Sequence, residues 1–440
     1  MDMNELLKDR YERAKILESS NMDEALNEYI KILDDATLED AYILSNIGNI
    51  LRKNGKAHNF VEKIKQYNYE DVKLRDYVNR SYLYALYSDK IQNYEYSEDS
   101  FNSFIETAEF IVDNSNQLDA DQYIFNPYVL TVYKVIHILR TRAATNYYKE
   151  LKWINKLNPD MLPDTPKQIL ASNGKEYEMA SFKEFYYQVK TKCLEKIGRF
   201  SECIKCCEEA LNIFEKFHYR NDLWFTARKL YCECLESGKE EDIQKYKQIA
   251  EKNNFWYMYH KLSEIYFSNG ELESALHYSC KALLSDEFDA EKMINLLYDI
   301  AVLFENQHKF EKSKVFYGVT LFYRASFGWY IPEELRFAEK EYDLKRDYCP
   351  DDNKLKKYAL DVLKEKENLH FGIVSKIVKD KKFGFIKYNN NCSMYFNLKR
   401  IKIKVQEKDK VYFTIINEND KLSAGCIYKV GGENVKNFNK

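Results

Sequence analysis

The chain reads as a mostly α protein, an array of helical hairpins followed by a small five-stranded β-barrel. Three observations predict this. Only 13 Gly and 6 Pro occur in 440 residues, so tight turns are few and helices joined by short connections are favoured. Small residues recur at helical spacing behind turns at Gly198, Gly238, Gly270 and His308, which lie 40, 32 and 38 residues apart. Those spacings bracket the period of a stacked helical repeat. From residue 370 onward the apolar spacing shortens to alternation broken by Gly, Asn and Asp, the pattern of strands and turns.

The clearest repeat spans Trp256 to Asp286. Tyr259, Leu262, Ser263 and Tyr266 share one helix face, Asn269-Gly270-Glu271-Leu272 makes a turn, and Ala275, Ser279 and Ala282 follow on a second helix. Small side chains there let two antiparallel helices approach closely while aromatics fill the layer between them. This pattern resembles the tetratricopeptide repeat. Cys203, Cys207 and Ala210 repeat it after Gly198, and Ile243 and Ala250 after Gly238. Ser313, Tyr317 and Thr320 do so after His308, with Ala301 and Phe304 on the preceding helix. Ala25, Tyr29 and Ile32 repeat it near the N-terminus, with the next turn at Asn54-Gly55-Lys56.

The expected organisation follows from where the pattern holds. Residues 1–60 and 175–327 carry the repeats. Residues 61–174 are a divergent helical region, with apolar helical spacing over Val72–Asn93, Ser97–Asn114 and Pro127–Leu157. It ends in a loop punctuated by Pro159, Pro163 and Pro166. Residues 328–369 supply capping and linker helices, one opening at Pro332 and ending near Arg346, the other over Asn353–Asn368. Residues 370–430 form the barrel and 431–440 a flexible tail. Stacked repeats leave a groove for a protein or peptide.

Charge divides the chain. From His370 onward there are 15 Lys and Arg against six Asp and Glu, a net of +9, while the first 369 residues carry −12. A basic module on an acidic body is the footprint of a nucleic-acid-binding appendage. Met1–Asn21 reads as a charged helix rather than a leader peptide. The most apolar run, Tyr128–Leu139, includes Lys134 and His137 and is too short to span a bilayer. These features predict a cytoplasmic protein with no membrane partner, whose ten cysteines are reduced thiols.

The terminal segment has five expected strands: Phe371–Val378, Phe383–Tyr388, Ser393–Leu398, Lys410–Ile416 and Leu422–Val430. It resembles the cold-shock family of OB-type barrels, which opens Gly-x-Val-Lys-Trp-Phe-Asn and continues Lys-Gly-Phe-Gly-Phe-Ile. Here Gly372 and Val374 precede Lys381-Lys382-Phe383-Gly384-Phe385-Ile386 with no gap. The second family motif falls on Ser393-Met394-Tyr395-Phe396-Asn397-Leu398. The resemblance covers about one seventh of the chain and implies binding of single-stranded RNA or DNA. Strand alternation independently puts Phe383 and Phe385 on one face, where Tyr395 of the neighbouring strand joins them. Rings so placed stack on bases, and Lys381, Lys387, Lys399 and Arg400 would meet phosphates. The family's Trp is Lys376 here and its His is Asn397. The expected site is thus Lys376, Lys381, Phe383, Phe385, Lys387, Tyr395, Asn397, Lys399 and Arg400, with a thinner aromatic face than the family's.

Enzymatic signatures do not emerge. There is no phosphate-cradling Gly-x-x-x-x-Gly-Lys loop, nucleophile elbow or His-Glu-x-x-His. Arg52 and His58 share a spacing found in helical ribonucleases but straddle the Asn54-Gly55 turn. Cys203, Cys206, Cys207, Cys232 and Cys234 invite a zinc reading, yet Cys203 and Cys207 fill small-residue repeat positions. Cys232-x-Cys234 is also too tight for a zinc knuckle. The expectation is a non-enzymatic adaptor without cofactor or metal, suited to an accessory role in nucleic-acid processing or bacterial defence. The rival expectations are a peptide-sensing regulator and an enzyme with its site in residues 61–174.

Overall fold

The computed structural model describes residues 3–117, 126–141, 146–170, 174–349, 352–389, 392–418 and 421–429. The expected tail at 431–440, and Val430 at the end of the last expected strand, lie outside them. The chain divides into two compact units, residues 1–198 with 214–219, and residues 199–213 with 220–440. No helix among the described residues is long and apolar enough to cross a membrane.

The first unit contains α1 (Met3–Leu17), α2 (Met22–Asp35), α3 (Ala41–Lys53), α4 (Ala57–Ile64), α5 (Tyr69–Lys73) and α6 (Asp76–Leu86). These are followed by α7 (Glu98–Asp113), α8 (Pro127–Thr141), α9 (Tyr147–Ile154) and α10 (Phe182–Lys196). Asn21 caps α2, its side chain accepting the Glu24 amide, which satisfies one of the free donors of the first turn. Ala25, Leu26, Tyr29, Ile32 and Leu33 then form the buried stripe. Between α9 and α10 lies a hairpin, β1 (Lys167–Leu170) with β2 (Glu176–Met179). By sequence, β1 falls in the Pro-containing loop and β2 at the start of the repeats expected from residue 175. The hairpin is missed there because β2 is exposed at all four positions and so lacks the apolar alternation that marks a half-buried strand.

His218 bonds to that hairpin. Its Nδ1 lies 2.7 Å from Glu184 Oε2 and its Nε2 3.0 Å from Glu178 Oε1 on β2. A carboxylate only accepts, so holding two of them requires both ring nitrogens to donate, which is the imidazolium form. Burial works against that charge, but the bonds to Glu184 and Glu178 outweigh it and raise the His218 pKa.

The second unit holds α11 (Phe200–Ile213), α12 (Asn221–Ser237), α13 (Glu240–Asn253), α14 (Trp256–Ser268) and α15 (Leu272–Ser285). It continues with α16 (Ala290–Asn306), α17 (Phe310–Ser326), α18 (Glu333–Glu341) and α19 (Asp352–Lys366). Consecutive helices pack pairwise from α11 to α18, most closely in the hairpins α14–α15 and α16–α17. The small residues explain that closeness. Ala275, Ser279, Ala282, Ala301 and Ser313 are buried. Ser263 Oγ donates to Ala275 O at 2.8 Å across the first hairpin, and Ser313 Oγ to Ala301 O at 2.9 Å across the second. The same crossing point is thus tied in both repeats, with the serine on opposite helices. Gly270 makes its turn in the left-handed region (φ 79°), and His308 occupies the equivalent place at φ 57°. For a residue with a Cβ that conformation costs about 1–2 kcal/mol.

One of the two terminal helices differs from its sequence reading. The helix opening after Pro332 ends at Glu341 rather than near Arg346, with the Tyr342 amide closing on Ala338 O. Only Leu335 and Ala338 are buried along it, so no apolar stripe supports a further turn. The linker helix forms close to its expected span, as α19, and packs on α15 and α17 through Leu355, Ala359, Leu360, Val362 and Leu363.

The terminal strands are β3 (His370–Val378), β4 (Phe383–Tyr388), β5 (Cys392–Asn397), β6 (Lys410–Glu418) and β7 (Lys421–Lys429). They form one antiparallel sheet in the order β5-β4-β3-β6-β7. The sheet curls until β5 lies near β7, although no hydrogen-bonded ladder joins those edges among the described residues. Inside the curl Val374, Ile386, Met394, Phe396, Val411, Phe413, Ala424 and Ile427 make the core. Gly384 is required by that packing: a Cβ there would sit 2.3 Å from Phe396 Cζ and 2.8 Å from Lys376 O.

Candidate nucleic-acid interface

Because strand side chains alternate, sending Gly384, Ile386, Met394 and Phe396 inward sends Phe383, Phe385, Lys387, Tyr395 and Asn397 outward. Register brings them side by side. Phe385 is paired with Tyr395, and Phe383 with Asn397. The three rings form a mutual cluster. Phe383 lies 5.6 Å from Phe385 and 5.7 Å from Tyr395, and Phe385 lies 6.2 Å from Tyr395, centroid to centroid. Phe383 and Phe385 are half-buried and Tyr395 is 39% exposed. Tyr395 is therefore a large ring held on the solvent side of a sheet by the rings beside it, not by the core.

The cations border this cluster. A bulge in β3 between Val374 and Lys376 shifts the register by one residue, which turns Lys376 to the outer face opposite Phe385. The extra residue, Ser375, is tied down by its hydroxyl to Phe385 O at 3.1 Å. Lys387 continues the outward series on β4, and Lys381 stands exposed in the β3–β4 turn. Asn397 acts on the backbone that follows it. Its Oδ1 accepts the Lys399 amide at 2.9 Å, and its carbonyl accepts Arg400 N–H at 3.1 Å. These bonds shape the turn that displays Lys399 and Arg400, both exposed. All nine sequence-expected residues thus lie on β3–β5, in the β3–β4 turn or in the turn that follows β5.

Two clusters in the second unit pair their charges instead. On α14, His260 Nε2 lies 2.6 Å from Asp299 Oδ2 of α16, while Glu264 accepts from Lys261 Nζ at 2.7 Å and from Tyr231 O–H at 2.6 Å. His260, Glu264 and Asp299 are close enough to hold a cation between them, but Lys261 already compensates the glutamate. Burial opposes ionisation of Glu264, and the charges of Lys261 and His260 overcome it and lower its pKa. A donor set carrying its own ammonium does not fit a metal.

A second network fastens the terminal sheet to α15. Glu367, just past α19, receives Lys281 Nζ at 2.7 Å, His277 Nε2 at 3.2 Å and Tyr428 O–H of β7 at 3.3 Å. Burial opposes the carboxylate charge, yet the bond from His277 and the charge of Lys281 hold the Glu367 pKa down to about 2. Sequence spacing could not reveal it, since Lys281 and Glu367 lie 86 positions apart.

The remaining sequence candidates separate. Arg52 packs over the Tyr84 ring, whereas His58 faces Asp89 at 3.4 Å. Cys203, Cys206, Cys207, Cys232 and Cys234 are buried. The Cys207 thiol is pushed up by its bond with Cys203 and by burial, which keeps it protonated and unreactive.

No protein-family model matches the chain, and no curated protein matches it. Among solved structures it is similar to the P58(IPK) TPR domain, with 12% identity over 82% of this chain and 99% of that one and a TM-score of 0.22. That overlay is loose, so the repeat character of this chain stands on its own helix hairpins.

Proposed function

We propose that this protein is a non-enzymatic adaptor whose terminal sheet is a cold-shock-type OB barrel that binds single-stranded RNA or DNA, while its helical repeats hold a protein partner. The observation that carries the nucleic-acid half is the outward cluster of Phe383, Phe385 and Tyr395 flanked by Lys376 and Lys387. Rings of this kind stack on any base, and the cations neutralise the backbone that passes them. The strand order, with β3 paired to both β4 and β6 and β5 curling toward β7, suits such a barrel. The protein half is supported by the stacked hairpins of the second unit, because repeat arrays expose one face of every helix pair to a ligand. Such a pairing fits an accessory subunit of a nucleic-acid-processing or defence system.

Fluorescence anisotropy of the full-length chain with oligo-U and oligo-dT tests the reading. Binding that weakens steeply with salt, and that is lost when Phe385 and Tyr395 are both replaced by Ala, is expected. Failure of every oligonucleotide to bind at about 50 mM salt would remove the nucleic-acid half.

A further inference from the structure

The turn after β5 carries its cations onto the helical repeats. Asn254, in the left-handed region (φ 51°), ends α13, and its Nδ2 donates to Arg400 O at 3.1 Å. The next residue, Phe255, receives two cations. Lys402 Nζ lies 4.8 Å from its ring centroid and the Arg220 guanidinium 5.4 Å from it. Trp224 stands 5.5 Å from the same ring. Phe255 and Trp224 are half-buried, and Arg220 is exposed. Neither Arg220 nor Lys402 has a carboxylate partner among the described residues. Arg220 instead donates to Asn253 Oδ1 at 2.7 Å, a neutral oxygen that orients the guanidinium without cancelling its charge. Glu287 accepts the Lys404 amide at 2.7 Å, which ties the turn to the body.

This contrasts with the pairing of Lys261, Lys281 and Lys366 with Glu264, Glu367 and Glu273. In a helical body that is acidic overall, two uncompensated cations over one ring form a local anion-attracting site with a stacking surface. Asn397, at the edge of the three-ring cluster, is five residues from Lys402, so their Cα atoms are no more than about 18 Å apart.

We propose that the single-stranded nucleic acid occupying the terminal sheet continues across the β5–β6 turn onto this patch, with phosphates at Lys402 and Arg220 and a base against Phe255 or Trp224. The proposal rests on the sheet being a nucleic-acid-binding surface, and it assigns a second contact to helices α12–α14. Its signature is dependence on ligand length. A short oligonucleotide fills the sheet alone, and a longer one reaches both surfaces.

The test uses the full chain, labelled oligo-U and oligo-dT of about 4, 8 and 16 nucleotides, and the paired variant Arg220→Glu/Lys402→Glu. A milder Arg220→Gln/Lys402→Gln variant guards against misfolding, with melting temperature as the check. Wild-type affinity is expected to rise at least about tenfold from the shortest to the longest ligand, beyond the gain from extra registers on one site. The variants are expected to lose that rise while binding the shortest ligand as wild type does. Their salt slope on the longest ligand should fall by about 1.4, as for two lost phosphate contacts on a single strand. Equal length dependence in wild type and both variants overturns the proposal, as does competition at this patch by an acidic peptide that leaves oligonucleotide binding unchanged. If no ligand of any length binds wild type, the reading of the sheet itself falls, an outcome separate from loss of length dependence alone.

Discussion

The outer face of β3–β5 and the joint between β7 and α15 belong to the same small sheet yet treat charge in opposite ways. At the joint, Lys281 and Glu367 are both nearly withdrawn from water, and each is compensated within 2.7 Å. On the outer face, Lys376 stands exposed on β3 opposite Phe385, Lys387 on β4, and Lys381 in the turn before β4. A buried charge without a partner is strongly destabilising, so the joint had to be closed with ion pairs and hydrogen bonds. An exposed lysine carries no such penalty, and its charge remains available to a ligand. The first region holds the sheet on the helical repeats, and the second leaves rings and, among the described residues, uncompensated charge on its outer face.

Breaking the joint should have the largest effect. Glu367→Ala strands Lys281 in the interior and is expected to cost about 3–5 kcal/mol of stability, read as a shift in the urea midpoint. The double variant Glu367→Ala/Lys281→Met, which removes both charges, should recover part of that loss. If the single variant is as stable as wild type, the joint is not what fastens the sheet.

On the outer face the order of effects reverses. Tyr395→Ala should leave stability within about 0.5 kcal/mol but weaken oligonucleotide binding by roughly 1–3 kcal/mol. A Tyr395→Ala variant that melts early and binds normally would make this ring part of the core.

The two ends of the pH scale separate further ion pairs. Glu367, held to about 2, contributes stability that is complete above its unfolded value near 4.3. That contribution is lost as pH falls toward 2, and the acid limb of a stability profile should flatten in Glu367→Gln. His218 works the other way. Its folded pKa is raised, so its contribution is complete below about 6.5 and fades as pH climbs through the folded value. Denaturant midpoints should therefore decline from neutral to alkaline pH in wild type and less so in His218→Gln.

The smallest effect expected is a gain. His308→Gly relieves a left-handed backbone position (φ 57°), and after subtracting glycine's greater freedom in the unfolded chain it should stabilise the α16–α17 hairpin by roughly 0.5–1 kcal/mol, measurable by thermal melting.

Much of this was legible in the residues. Strand β4 runs over the span expected, Phe383–Tyr388, because the alternation Phe383-Gly384-Phe385-Ile386 admits only one face for the rings. The hairpin turns at Gly238 and Gly270 fall where the sequence puts them, with both in the left-handed region. The β1–β2 hairpin was not legible, since its exposed strand carries no burial pattern. The contact of Lys402 with Phe255 was not legible for a related reason: that ring precedes α14, far away in sequence.

The sequence by itself determined the periodicities, and through them the helix pairs, the five strands and which side of β4 and β5 carries the aromatic rings. These depend on neighbours two to seven positions apart, which local backbone geometry already relates. Tertiary structure alone decided which charges are spent on the fold. Whether a lysine is compensated depends on carboxylates brought together by packing, as with Lys281 and Glu367, and no local spacing records that distance.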